Sequence, residues 1–223
     1  MPKTVLDVLS SVLPFWEKLS SEDRKTLLEH TRLQTYAKGS NVHGRQEKCT
    51  GFIIVVSGQL RAYLLSEEGK QITIYRLLSN DLCLMSASCV LKNISFNIVV
   101  DAETDTAITL TNPDIFDAVS KRNPEMEVYL REAISARFSE AMWVMEQTLF
   151  NKFDKRLANF LFEESALEQS DTIVLTHEQI AAHLGSAREV VSRMLKYFAS
   201  EGLVKVSRKG ITLLDRKRLK YYL

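Results

Sequence analysis

The chain has 223 residues, 45% of them apolar and 26% charged, with a formal net charge of +1, which is the composition of an ordinary globular protein long enough for two domains. No run approaches the roughly 18 apolar residues of a membrane span, and MPKTVLDVLS mixes acid and polar residues into its apolar stretch without a cleavable-signal pattern, so a cytoplasmic protein with no membrane partner is expected. Three cysteines, Cys49, Cys83 and Cys89, make no disulfide framework and fit a reducing compartment.

Residues 4 to 31 read as helical, with Ser20 or Ser21 capping SEDRKTLLEHT, whose first turn is acidic. From about Leu33 the pattern changes to short strands: GFIIVVSGQLRAYLLS, KQITIYRLL and FNIVVDAE are rich in β-branched and aromatic residues. Five of the eight glycines (39, 44, 51, 58 and 69) punctuate this region, and none lies between 70 and 184. Short strands with regular turn signals predict a β-sandwich or roll over about 33 to 111. After Pro113 and Pro124 comes the helical stretch EMEVYLREAISARFSEAMWVMEQTLFN. Leu130, Ile134, Ala141, Met145 and Thr148 trace one seam along it, and Phe138, Met142 and Leu149 a neighbouring one. Two seams fit a helix that touches its own β-domain on one side and a symmetry mate on the other; a single core-buried helix is the alternative. FDKRLANFLFEES is a further helix, followed by the polar break LEQSD.

The last part of the chain carries most of the positive charge. Residues 172 to 223 hold ten Lys and Arg against four Asp and Glu, a balance of +6, which fits a polyanion partner for that end, or a merely solvated basic end. Thr176 caps a short helix with Glu178 and Gln179 in its first turn and an apolar stripe of Ile180, Ala181 and Leu184, and Gly185 ends it. SAREVVSRMLK follows. Arg188, Glu189, Ser192, Arg193 and Lys196 fall within an arc of about 140° on a helix, with Val190, Val191, Met194, Leu195 and Phe198 in the opposite arc. Two short helices joined by a tight turn are a helix-turn-helix, whose second helix enters the major groove. LVKV, SRKG and ITLL then form a hairpin with a basic tip, a wing placed for phosphates. Arg188 or Arg193 can bond guanine O6 and N7, and Glu189 can accept from cytosine N4. An acid at the centre of the face costs affinity for phosphate, and it makes sense if it discriminates bases. Ser192, Lys196, Arg208 and Lys209 suit phosphate better, and Thr176 and Ser186 are expected among the DNA-binding residues as well.

Read together, these segments resemble the cyclic-AMP receptor / fumarate–nitrate regulator (Crp–Fnr) family of bacterial transcription factors over nearly the whole chain. LPFWEKLSSEDRKTLLEHTRLQTYAKGSNV is similar to the family's N-terminal helix and first strand, GFIIVVSGQLRAYLLSEEGKQITIYRLLSNDL to its β-roll, and LTHEQIAAHLGSAREVVSRMLKYFASEGLVKV to its winged helix. The resemblance implies an α+β chain in three parts. These are a cyclic-nucleotide-binding-like β-roll (jelly roll) sensor with flanking helices over 1–124, a long dimerisation helix over 125–150, and a winged helix-turn-helix over 151–223. It implies a homodimer joined through the long helix, with Arg188, Glu189 and Arg193 reading the bases of a palindromic duplex. RNA polymerase and a small-molecule effector are the further partners it implies.

Departures from the family pattern bear on the effector. The cyclic-nucleotide branch has a Gly-Glu pair after a GD turn and an Arg-Ser/Thr pair on the next strand. Here Asn80 takes the glycine's place and the later stretch reads ISFN, so a buried phosphate would be badly compensated and cyclic AMP is not expected. The iron–sulfur branch needs four cysteines, and none precedes residue 49 here, so that cluster is not expected either. LCLMSASCVL places Cys83, Met85, Ser86, Ser88 and Cys89 where the family lines its effector pocket. Burial as core is the favoured reading for the two cysteines; a redox thiol, a soft-metal or haem ligand, or a pocket for a small apolar or acidic metabolite are the alternatives. His30, His43, His177 and His183 are unpaired in sequence and read as surface or turn residues. A competing class, a cupin-like metal enzyme or thiol enzyme with a basic appendage, would want a second histidine two residues after His43, where Arg45 stands. No nucleophile–base spacing or phosphate loop is evident, so no catalytic residue and no metal ligand is expected.

Overall fold

The computed structural model describes residues 4–44, 51–83 and 98–223. It divides into two compact units, one of residues 1–64 and 74–141 and the other of residues 65–73 and 142–223.

The first unit opens with α1 (Val5–Val12), whose cap is reciprocal: the Asp7 amide donates to the Thr4 hydroxyl, and the Thr4 amide to the Asp7 carboxylate. Leu13, ahead of Pro14, is extended and ends the helix. A 3-10 turn at Trp16–Lys18 and α2 (Ser21–Glu29), capped by Ser20, follow. The expected helical stretch is thus three short pieces, and the strands begin at Thr31, two residues earlier than the pattern predicts. They are β1 (Thr31–Tyr36), β2 (Asn41–His43), β3 (Phe52–Ser57), β4 (Leu60–Leu65), β5 (Gln71–Leu77), β6 (Leu82–Cys83), β7 (Ile98–Ala102) and β8 (Thr106–Thr111). Two antiparallel sheets result, ordered β1-β8-β3-β6 and β2-β7-β4-β5, with Ile53 opposite Leu110 in the first and Ala62 opposite Val100 in the second. This is the predicted β-roll. Asn80, at the position of the family's turn glycine, has φ +74°; asparagine tolerates the left-handed region better than most residues, so the turn survives the loss of glycine.

Next come α3 (Pro113–Ser120), capped by Asn112, and α4 (Pro124–Phe150). The apolar face of the helices closes the first sheet: Val8, Leu9, Phe15, Trp16, Leu27, Phe116, Val119, Met126 and Leu130 bury against Phe52, Ile54 and Leu82. Phe52 and Phe116 stack with centroids 3.7 Å apart.

In the second unit, α5 (Phe153–Leu167) packs with β9 (Thr172–Ile173), α6 (His177–Leu184), α7 (Arg188–Ser200), β10 (Val204–Ser207), β11 (Gly210–Leu213) and α8 (Arg216–Leu219). Its three strands are ordered β10-β11-β9. Leu157, Leu161, Ile173, Ile180, Val191, Leu195, Phe198 and Ile211 are almost wholly buried at its centre.

Candidate nucleic-acid interface

The interface starts from a cap and a turn. The Thr176 hydroxyl accepts from the Gln179 amide at 3.1 Å, and the Gln179 side chain accepts from the Thr176 amide at 2.8 Å, which sets where α6 begins. Gly185 ends α6 at φ +62°, in the left-handed region where a side chain would be strained. Arg156 of α5 donates to the Leu184 carbonyl beside that glycine, and the Ser186 amide donates back to the Ala181 carbonyl at 3.0 Å. Two residues later α7 starts.

On α7 the faces separate as expected. Val191, Leu195 and Phe198 are buried, and Val190 and Met194 half-buried. Arg188, Glu189, Arg193 and Lys196 are exposed and Ser192 half-exposed. These five line one shallow depression of about 340 Å3. Among the described residues no ion pair engages them, so three cations and one acid are left to face an outside partner.

Thr176 is exposed at the head of α6, and Ser186 is half-buried in the turn. Arg208 and Lys209 form the exposed two-residue link between β10 and β11, closed by the Ser207–Gly210 pair. Gly210 has φ +128°, and a side chain there would run into the Ile173 carbonyl of β9, so the backbone itself keeps the wing on the third strand. His177, read from the sequence as a surface or turn residue, is the half-exposed first residue of α6. Partial burial, then the positive fields of Arg188 and Lys196, hold its imidazole below the ordinary 6.5.

The expected dimer seam does not stay together. Leu130 is buried in its own unit's core and Ile134 packs against that core, because the helix is pressed onto the β-roll at that height. Ala141 is half-buried, and Thr148 is exposed, its hydroxyl donating to the Val144 carbonyl at 2.8 Å. Met145 is exposed, and with it stand Phe138, Met142 and Leu149, at 65%, 40% and 65% exposure. The open apolar row is therefore 138, 142, 145 and 149.

Of the expected effector residues, Cys83 is wholly buried in β6 opposite Ile53. Met85, Ser86, Ser88 and Cys89 lie outside the described residues, as does Arg45. Near Cys83 is a group the sequence reading missed: the Arg137 guanidinium sits 5.1 Å from the Tyr75 ring centroid and bonds Glu140 at 2.7 Å. Burial, then Cys83, raises the Tyr75 phenol well above 10. His43 and His183 are buried, not surface residues; His183 packs on the Phe160 ring at 5.3 Å. Among the described residues no group of three His, Cys, Asp or Glu side chains is placed to hold a metal, and no helix is long and apolar enough to cross a membrane.

Comparison with known proteins places this geometry. Residues 155–222 match the Crp-like helix-turn-helix domain. The chain is similar to the crystal structure of a transcriptional regulator of the Crp/Fnr family from Eubacterium rectale, with 43% identity, TM-score 0.91, and 95% of this chain and 98% of that one covered. It is 29% identical over 174 residues to the transcriptional regulator SdrP of Thermus thermophilus, covering 74% of this chain and 80% of SdrP. The structure of the global regulator CLP of Xanthomonas campestris shares the fold at TM-score 0.74 and 14% identity, over 88% of this chain and all of that one.

Proposed function

This chain belongs to the Crp–Fnr family of transcription regulators, and we propose that it works as a homodimer whose two α7 helices read the halves of a palindromic DNA site. The observation that carries the reading is the single depression lined by Arg188, Glu189, Ser192, Arg193 and Lys196, open to solvent and without internal ion pairs among the described residues. Three cations against one carboxylate give it a positive balance suited to a polyanion. The arginines suit the bidentate guanine edge and Glu189 the cytosine amine, each contact being worth about 1–3 kcal/mol of discrimination. Thr176, Ser186, Ser192, Lys196 and the wing residues Arg208 and Lys209 take the phosphates, which fix register without specifying sequence.

Dimerisation is assigned to Phe138, Met142, Met145 and Leu149. Their four-three-four spacing is that of a coiled-coil seam, and their exposure leaves a row of large apolar side chains for a second copy to cover. A pair of α7 helices related by two-fold symmetry would meet half-sites about 34 Å apart, one turn of the duplex. The β-roll is the sensor in this reading, and RNA polymerase is a partner at the promoter.

Fluorescence anisotropy with a labelled duplex carrying a selected site tests the reading. The R188A/R193A double variant should lose at least about tenfold in affinity, the equivalent of about 1.4 kcal/mol. Binding equal to wild type would remove α7 as the reading helix.

A further inference from the structure

The open row of α4 does not end at Phe138. Continued toward the helix start at the same spacing, it passes Ser135, Arg131 and Val128, all three exposed. In heptad terms Val128, Ser135, Met142 and Leu149 are a positions, and Arg131, Phe138 and Met145 are d positions. Glu132 is then the e position beside Arg131. An arginine is a foreign residue at d in an apolar seam, because across a two-fold axis it faces its own copy. Among the described residues no ion pair engages either Arg131 or Glu132, and Glu127, one turn before Arg131, is not in ion-pair range of it. Beside this end of the row is a depression of about 390 Å3. Phe15 and Tyr129, their rings edge to face at 5.4 Å, line it together with Val128 and Glu132. Its cation, Lys18, is taken by Glu125 at 2.8 Å, which leaves Glu132 as the acid there without an ion pair.

We infer that Arg131 of a second copy of this chain pairs with Glu132 at the edge of that depression, and that the pair recurs on the other side of a parallel α4 dimer. The inference rests on the proposed reading of the exposed row as the dimer seam. In a parallel coiled coil a d side chain enters a hole made by four residues of the facing helix, two a, one d and one e. Here that hole is Val128, Arg131, Glu132 and Ser135, so the entering arginine is laid against Glu132, and the short Ser135 side chain leaves it room. Val128 and Glu132 are the two hole residues that also line the depression. A two-fold interface makes each contact twice, so one dimer carries two Arg131–Glu132 pairs. Successive residues on one helix point about 100° apart, so Arg131 does not face Glu132 of its own chain, and the pair forms only between copies.

The pairs set orientation. Parallel α4 helices bring the chain that follows each of them, with its α7, to the same end, as two half-sites of one duplex require. An antiparallel pairing about the middle of the row would set Arg131 against Glu146 instead and carry the two α7 helices to opposite ends.

The test is sedimentation equilibrium on the full chain carrying R131E, E132R or both, at low and at high salt. R131E sets acid against acid twice and E132R cation against cation twice, so each should weaken dimerisation about tenfold at low salt. The loss should shrink at about 1 M salt, where exposed charges are screened. An equimolar mixture of the two single variants should form a heterodimer tighter than either homodimer, because both contacts are then attractive, and R131E/E132R should dimerise like wild type. Rescue in the mixture cannot come from contacts within one chain. Single variants that dimerise like wild type, or a mixture no tighter than its components, overturn the inference and leave the row from Phe138 to Leu149 standing as the seam. Rescue of R131E by E146R in place of E132R overturns it in favour of the antiparallel pairing. Wild type that stays monomeric at every concentration overturns both the inference and the seam.

Discussion

The Arg156 guanidinium of α5 holds the Leu184 carbonyl at the last residue of α6, directly before the Gly185 turn. One side chain therefore ties the turn between the two reading helices to the helix behind them. Arg156 and Leu184 are both half-buried, so loss of Arg156 removes the side-chain donor to that carbonyl. The R156A variant should lose about 1–3 kcal/mol of stability in the second unit, and the Gly185 and Ser186 amides should exchange hydrogen faster than those of α5. Unchanged exchange at these amides would mean that Gly185 alone sets the turn.

Asp23 is the corresponding fixed point of the first unit. It is almost buried on α2 and accepts from Arg122 at 2.7 Å and from Asn123 at 3.1 Å. Burial alone would raise its pKa, but the hydrogen bonds from Arg122, Asn123 and Ser20 outweigh burial and hold it below the ordinary 3.8. A depressed carboxylate adds stability above its unfolded-state pKa and loses it as pH falls through the folded value. D23N should therefore be less stable than wild type by about 1–3 kcal/mol at neutral pH. In denaturant titrations that gap should hold from pH 8 to 5 and close below pH 3.8. A gap that persists in acid would assign it to packing instead of charge.

The two seams of α4 separate by experiment. M142E and L149E should sediment as monomers with both units folded, because those side chains are exposed. L130A should remain dimeric while losing about 2–5 kcal/mol, the usual range for a buried leucine truncated to alanine. Dimers that survive M142E and L149E but not L130A would return the interface to the seam first read from the sequence.

Glu189 carries the specificity argument. E189A should keep or gain affinity for duplex of arbitrary sequence, since a negative charge leaves the interface, and relax base preference at one position per half-site by about 1–3 kcal/mol. Equal losses on every sequence would make Glu189 a structural residue of α7.

The second unit was the more legible in sequence, for physical reasons that concern few residues. Thr176, Gln179 and Gly185 act locally, through a cap and a left-handed turn, so their meaning does not depend on distant packing. The partition of α7 follows from the helical period alone. On α4 the period was legible, but the packing of Leu130 and Ile134 into the first unit's core was not. Adjacent seams differ by only tens of degrees, and which one is covered depends on how far the β-roll reaches along the helix, which no local pattern encodes. Both rows have heptad spacing, so only the burial of Leu130 and Ile134 against the β-roll separates them. His43 and His183 looked like surface residues because an unpaired histidine has no signature of its own; their burial comes from the strand and helix faces they occupy. Tyr75, Arg137 and Glu140 were missed for a similar reason, being 62 or more positions apart from strand to helix.

Selection of bound sequences from random duplex DNA by the purified full chain tests the central claim most directly. The account predicts an enriched motif with two-fold symmetry, its half-sites about 10 base pairs apart, in which R193A loses preference at defined positions of both halves. Enrichment of no sequence, or of a motif that R188A, E189A and R193A all leave unchanged, would contradict the assignment of α7 as the helix that reads DNA.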